Sequence, residues 1–183
     1  FIDDEPRLIR PANYPSPCPG QGSHVYKAGF SKNIAVINVS GRMFLPPLDC
    51  PFQAIRDILK DLGGSADYII VDVHAEATSE KLALGYCFDG QVSAVLGTHT
   101  HIQTADERIL PNGTAYITDL GMTGPIHSIL GMEIDPIVEK FLHGRPTRFE
   151  VAGGSAQMQG VVIELNENNG TAVSIERFSM TME

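Results

Sequence analysis

Two histidines stand one residue apart in the stretch VLGTHTHIQTAD, where His99 and His101 follow an apolar run closing on Gly97. Side chains at i and i+2 of an extended segment point the same way, so the two imidazoles can converge on one point. A third histidine, His74, ends the run IIVDVH, and Asp119 ends AYITD. Three imidazoles from two strand ends suit zinc, iron, manganese or a related divalent ion, and hard oxygen ligands move the choice away from structural zinc. The neighbouring residues have plainer readings. Asp72, two before His74, could share its face or orient the imidazole from behind. Glu76 and Glu80 read as charges at a helix N-terminus, and Asp119 as a satisfied buried carboxylate heading the Gly121, Gly124 loop. Arg42 carries a donor fork suited to phosphate, with a surface salt bridge as the alternative. His24, His127 and His143 have no companions at ligand spacing.

The elements that must position these residues alternate in type. NIAVINV (33–39) reads as a strand, and PFQAIRDILKDLGG as a helix with Phe52, Ile55, Ile58, Leu59 and Leu62 on one face, ended by Gly63 and Gly64. Strands follow at 67–74, 92–97 and 114–121, with a short helix from Thr78 between the first two. The glycine ending the second of these precedes the paired histidines. DPIVEKFLHG has Asp135 as N-cap, Pro136 at the first helical position and Gly144 at the close. Beyond it, TRFEVAGG, MQGVVIELNE and TAVSIERFS read as three strands, the last two joined through Asn169-Gly170. The proline-dense opening reads as loop. These divisions give a loop-rich opening (1–32), an α/β portion (33–145) and a β-rich portion (146–183) of a single domain. In such layered α/β proteins, ligands gather where loops leave the carboxyl ends of strands. His74, His99, His101 and Asp119 all fall there.

Composition narrows the partners. A net charge of -9 over 183 residues gives no basic footprint for DNA, while small phosphate ligands stay accessible through bound cations. Three unpatterned cysteines, Cys18, Cys50 and Cys87, fit reduced structural thiols in the cytoplasm rather than a disulfide framework or a zinc site. No apolar stretch has membrane-spanning length and no signal-peptide pattern opens the chain. A nucleophile elbow, a P-loop and a dinucleotide fingerprint are all absent from the sequence.

The segments RPANYP, GRMFLPPLDCPF, VDVHAEATSEKLALGY, VLGTHTHIQTADERILPNGTAYITDLGMTGP and SILGM together resemble the YmdB-like cyclic-nucleotide phosphodiesterases, a branch of the calcineurin-like metallophosphoesterases. The resemblance runs over nearly the whole chain. It implies a layered α/β fold, a β-sandwich flanked by helices, and two divalent metal ions, iron or manganese with magnesium or zinc as alternatives. It also implies hydrolysis of 2',3'- or 3',5'-cyclic nucleotides by a hydroxide activated at the dinuclear centre. His74 and His99 would ligate one ion and His101 the other, with Arg42 a phosphate contact. The family's Gly-Asp, Gly-Glu-Asn and Gly-Asn-His motifs, which carry the acidic ligands and the general-acid histidine, are not in these residues. The chain therefore reads as the C-terminal two-thirds of such a protein, with no catalytic acid of its own. It is expected to bind at most one ion weakly, to be inactive alone, to pair with the N-terminal segment and to form a homo-oligomer. Two other readings stay open: a metallophosphatase of another substrate class, and a non-catalytic metal-binding or regulatory module.

Overall fold

A computed structural model describes residues 1–29 and 31–182. Its centre is a six-stranded mixed sheet in the order β1 (Ser23–Ala28), β2 (Lys32–Ser40), β3 (Tyr68–His74), β4 (Ala94–Thr98), β6 (Ala115–Ile117), β5 (Arg108–Ile109). The inner four strands, β2, β3, β4 and β6, are mutually parallel. Their carboxyl ends therefore lie along one edge. Parallel strands need crossovers, and two are helical: α1 (Pro51–Leu62) joins β2 to β3, and α2 (Thr78–Cys87) joins β3 to β4.

Alternation decides which residues meet the helices. Ile37, Val39, Val71, Val73, Val95 and Tyr116 share one core cluster with Ile55 of α1 and Leu84 of α2. Ile55 is wholly buried, worth about 1.5–3 kcal/mol for a side chain of its size. Four residues of the stripe anticipated on α1 pack, Phe52, Ile58 and Leu59 flanking Ile55, while Leu62 lies outside the cluster. Gly63 ends the helix in the left-handed region at φ 51°.

The opposite face is covered by a smaller antiparallel sheet, β7 (Gly124–Pro125), β8 (Ala156–Leu165) and β9 (Ala172–Met182). Ile163, Leu165 and Ile175 pack there against Ala94 and Ala115. The architecture is mixed α/β, a six-stranded sheet between helices and a three-stranded sheet. A third helix, α3 (Ile134–His143), follows β7. No helix among the described residues is long and apolar enough to cross a membrane, and Cys18, Cys50 and Cys87 are free thiols.

Several local expectations are corrected. Residues 23–28, within the loop-rich entry expected over 1–32, form β1, paired antiparallel to β2. The strand anticipated over 114–121 stops at Ile117, because Thr118 and Asp119 turn away to serve side-chain partners. The N-cap of α3 is Glu133, with no side-chain cap bond, rather than Asp135. TRFEVAGG forms no strand. Only Val151 bridges Met132, so two strands, not three, build the C-terminal portion.

Candidate metal centre

Parallel register sets the site. Ser40, His74 and Thr98 stand side by side at the ends of β2, β3 and β4. His74 Nε2 lies 3.0 Å from His99 Nδ1, with the rings edge-on at 84°. His99 Nε2 in turn lies 3.1 Å from Glu76 Oε2. A neutral imidazole has one N–H. His99 therefore donates to His74 or to Glu76, not to both; when it donates to Glu76, its Nδ1 is left as an acceptor toward His74 Nε2. A divalent ion between the two rings would take up both nitrogen lone pairs. Metal–nitrogen bonds of about 2.0–2.1 Å place adjacent ligand nitrogens roughly 2.9–3.4 Å apart, the spacing observed between His74 and His99. The donor chemistry thus fits one divalent ion held by two imidazoles.

Behind His74 runs a polar relay. Thr98 Oγ1 donates to Asp72 Oδ1 at 2.9 Å and lies 3.4 Å from His74 Nδ1, while Asn38 donates to Asp72 Oδ2 at 2.7 Å. With the threonine proton on Asp72, the contact to Oγ1 is a hydrogen bond when His74 carries its proton on Nδ1. Its Nε2 lone pair is then free for His99 or a metal. Although His74 remains solvent-exposed, partial desolvation and then the neighbouring His99 hold it below the ordinary imidazole value. That favours the neutral ring, the form that ligates metals.

His101 departs from the geometry expected of it. The segment is not extended: β4 ends at Thr98, and His99 (φ 104°) and His101 (φ 67°) both take positive φ. The i, i+2 argument therefore fails, and the His101 side chain lies exposed beside a separate cavity with Ile126 and Gln157. Positive φ at a non-glycine residue costs on the order of 1–3 kcal/mol and persists only where surroundings enforce it. Asp119 enforces it here. Its carboxylate, wholly buried, accepts Thr100 N–H at 2.9 Å, Thr100 Oγ1–H at 2.8 Å, Gly121 N–H at 3.0 Å and Lys81 Nζ at 3.0 Å. These bonds outweigh burial and lower its pKa. Asp119 is a satisfied carboxylate, and its task is to pin the turn between the two histidines.

Sequence reasoning missed Lys81. A lysine on a short helix reads as solvated, yet Lys81 is 1% exposed. The available signal was its phase, since Lys81, Leu84, Gly85 and Phe88 fall at helical spacing on the inward face. Glu80, in the first turn of α2, accepts the backbone N–H groups of Arg42 and Met43 at 3.0 to 3.2 Å. It clasps the loop leaving β2. Arg42 is exposed and forms no ion pair with a carboxylate among the described residues. Its guanidinium stands 3.8 Å from Cys50 Sγ. Among the described residues, no set of three His, Cys, Asp or Glu side chains is arranged to enclose a metal ion. The His74–His99–Glu76 contacts form a row rather than a cage.

A layered mixed α/β protein with paired histidines at the carboxyl edge of its parallel strands is thus defined. Residues 1–178 match the model of the family described as YmdB-like protein, and the chain belongs to that family. It is 55% identical over 177 residues to the 2',3'-cyclic-nucleotide 2'-phosphodiesterase of Bacillus subtilis, covering 97% of this chain and 67% of the relative. A putative phosphatase/phosphodiesterase of Mycoplasma pneumoniae is 38% identical, covering 92% and 62%. The crystal structure of a hypothetical protein from Thermus thermophilus superposes with a TM-score of 0.89 at 43% identity, covering 96% of this chain and 68% of that one. The chain spans about two-thirds or less of the length of the curated relatives it matches.

Proposed function

We propose that this chain contributes the histidine side of a metal centre that hydrolyses cyclic-nucleotide phosphodiesters, 2',3'- or 3',5'-cyclic. The observation that carries the reading is the facing pair His74 Nε2 and His99 Nδ1, 3.0 Å apart. Similarity to the Bacillus phosphodiesterase supports the substrate class. His74 and His99 would hold one ion and His101 a second, with iron or manganese as the metals. Bound divalent ions supply Lewis acidity at phosphorus and a nucleophile at neutral pH. The chain's own residues do the positioning. Thr98 and Asp72 keep the Nε2 lone pair of His74 outward, Asp119 fixes the turn through Thr100, and Arg42 offers its fork to a phosphate oxygen.

Two imidazoles and one exposed carboxylate offset little metal charge and bridge no second ion. The chain alone is therefore expected to bind one ion weakly and to show no turnover. Calorimetric titration with Mn²⁺ tests the site: binding that disappears in both His74→Ala and His99→Ala supports it, and binding unchanged in either variant overturns it. A cyclic-nucleotide hydrolysis rate from the chain alone, abolished by His99→Ala, would overturn the expected inactivity.

A further inference from the structure

GMTGP, the end of the long matching segment, and SILGM lie beyond the paired histidines and contain no histidine, cysteine or carboxylate. Both line one cavity, of about 170 Å³, that opens beside His101. Its wall combines apolar and amide groups. Ile102, Ile126 and Leu130 are exposed around it, at 63%, 38% and 47%. Gln157 and Gln159 are two apart on β8, so they project from the same face of the strand into the space.

The amides are unequally occupied. Gln103 spends its NH₂ on the carbonyls of Leu120 and Gly160 at 3.2 and 2.9 Å, which ties the loop to β8. Gln159 accepts Met122 N–H at 3.4 Å, and its NH₂ donates to nothing among the described residues. The Gln157 carboxamide has no hydrogen-bond partner among the described residues, nor has the His101 ring. Apolar surface held open to water beside uncommitted donors and acceptors is the make-up of a small-molecule subsite. The volume lies below the roughly 300 Å³ at which whole drug-sized ligands are housed. Part of a ligand fits, and it should be flat enough to lie on aliphatic side chains with a mixed donor–acceptor edge. A carboxamide can give and take a hydrogen bond at once, and such an edge is what a nucleobase presents.

We infer that this cavity, lined by His101 two residues along the turn from His99, takes the nucleobase of a nucleotide whose phosphodiester lies at the His74–His99 edge. The inference rests on the function proposed above, and it adds the residues that would select the base: Gln157 and Gln159 by hydrogen bonding, Ile102, Ile126 and Leu130 by apolar contact.

The test is a ¹H–¹⁵N NMR titration of the full chain with adenosine, cytidine and ribose 5-phosphate. Either nucleoside should move the side-chain amide signals of Gln157 and Gln159 and the backbone signal of Ile126, while ribose 5-phosphate leaves them in place. Gln157→Leu, which keeps the volume and removes the amide, should weaken nucleoside binding about five- to tenfold, the loss of one or two hydrogen bonds. Ile126→Ala should weaken it without altering the Gln157 signals of the free protein. Equal shifts from ribose 5-phosphate, no shift with nucleoside up to about 10 mM, or unchanged binding in both variants would overturn the inference. Mn²⁺ added to the same sample separates the two claims. Broadening at His74 and His99 without any nucleoside response sinks the subsite alone. Nucleoside response without that broadening supports the subsite and sinks the metal reading.

Discussion

At the residue scale, the chemistry of His74 depends on a hydroxyl it reaches through Nδ1. Thr98→Val keeps the shape of the side chain and removes the link between His74 and Asp72. Metal affinity should then fall about 10- to 100-fold, as expected for loss of a group that orients a ligating imidazole, while stability drops only about 1 kcal/mol. Mn²⁺ titration beside urea unfolding separates the two effects. Residue types and a strand-end position were enough to bring His74 and His99 together, because parallel register delivers strand ends to one edge. The direction of His101 was not legible. It depends on two positive φ angles enforced by Asp119, which follows Thr100 by nineteen residues in sequence, and no local pattern encodes that bond.

At the scale of elements, α2 and the loop after β6 are locked by one buried ion pair. Lys81→Met removes the cation and leaves the Asp119 carboxylate buried, an uncompensated charge that should cost about 3–5 kcal/mol. Denaturant unfolding measures it. The double variant Lys81→Met/Asp119→Leu should recover only part of this loss, since the N–H groups of Thr100 and Gly121 then have no acceptor. Gly97 imposes a different constraint on β4. A Cβ there would collide with the carbonyl oxygen of Thr118, so Gly97→Ala must displace the loop that carries Asp119. It should destabilise the chain by more than about 1–3 kcal/mol, the usual overpacking range, read as a lowered Tm. Helix α1 and strands β2 to β4 were legible because their apolar periods are clean. The strand β1 was missed because SHVYKA follows a proline-dense loop and is only half-buried, so its sequence lacks a strong apolar alternation. TRFEVAGG misled for the opposite reason: it has strand-like residues but pairs only around Val151, which bridges Met132.

At the scale of the whole molecule, acid stability follows from carboxylates held by hydrogen bonds. Hydrogen bonds from Thr118 and Thr104 outweigh burial and lower Asp106, and Asp119 is lowered in the same way by its backbone and side-chain donors. The backbone N–H of Asn33 and then Lys32 lower Asp67. A carboxyl whose folded pKa lies below its unfolded value binds fewer protons when folded. Stability is then fully present above the ordinary aspartate value of 3.8 and is lost as pH falls through it toward the lowered folded values. Circular-dichroism melts from pH 7 to pH 2 should show Tm falling from about pH 4 downward. Asp106→Asn should flatten that fall.

The alignment of β2, β3, β4 and β6 also has a temporal side. Parallel neighbours cannot zip from a tight turn, so each junction along the edge closes a loop of a few tens of residues before any pairing rewards it. Helix α1 can form within microseconds, whereas His74 and His99 meet only after β3 and β4 have docked with α2 between them. In a refolding experiment, recovery of Mn²⁺ binding should lag the recovery of helical ellipticity. The histidine pair would thus act as a clock for completion of the central sheet.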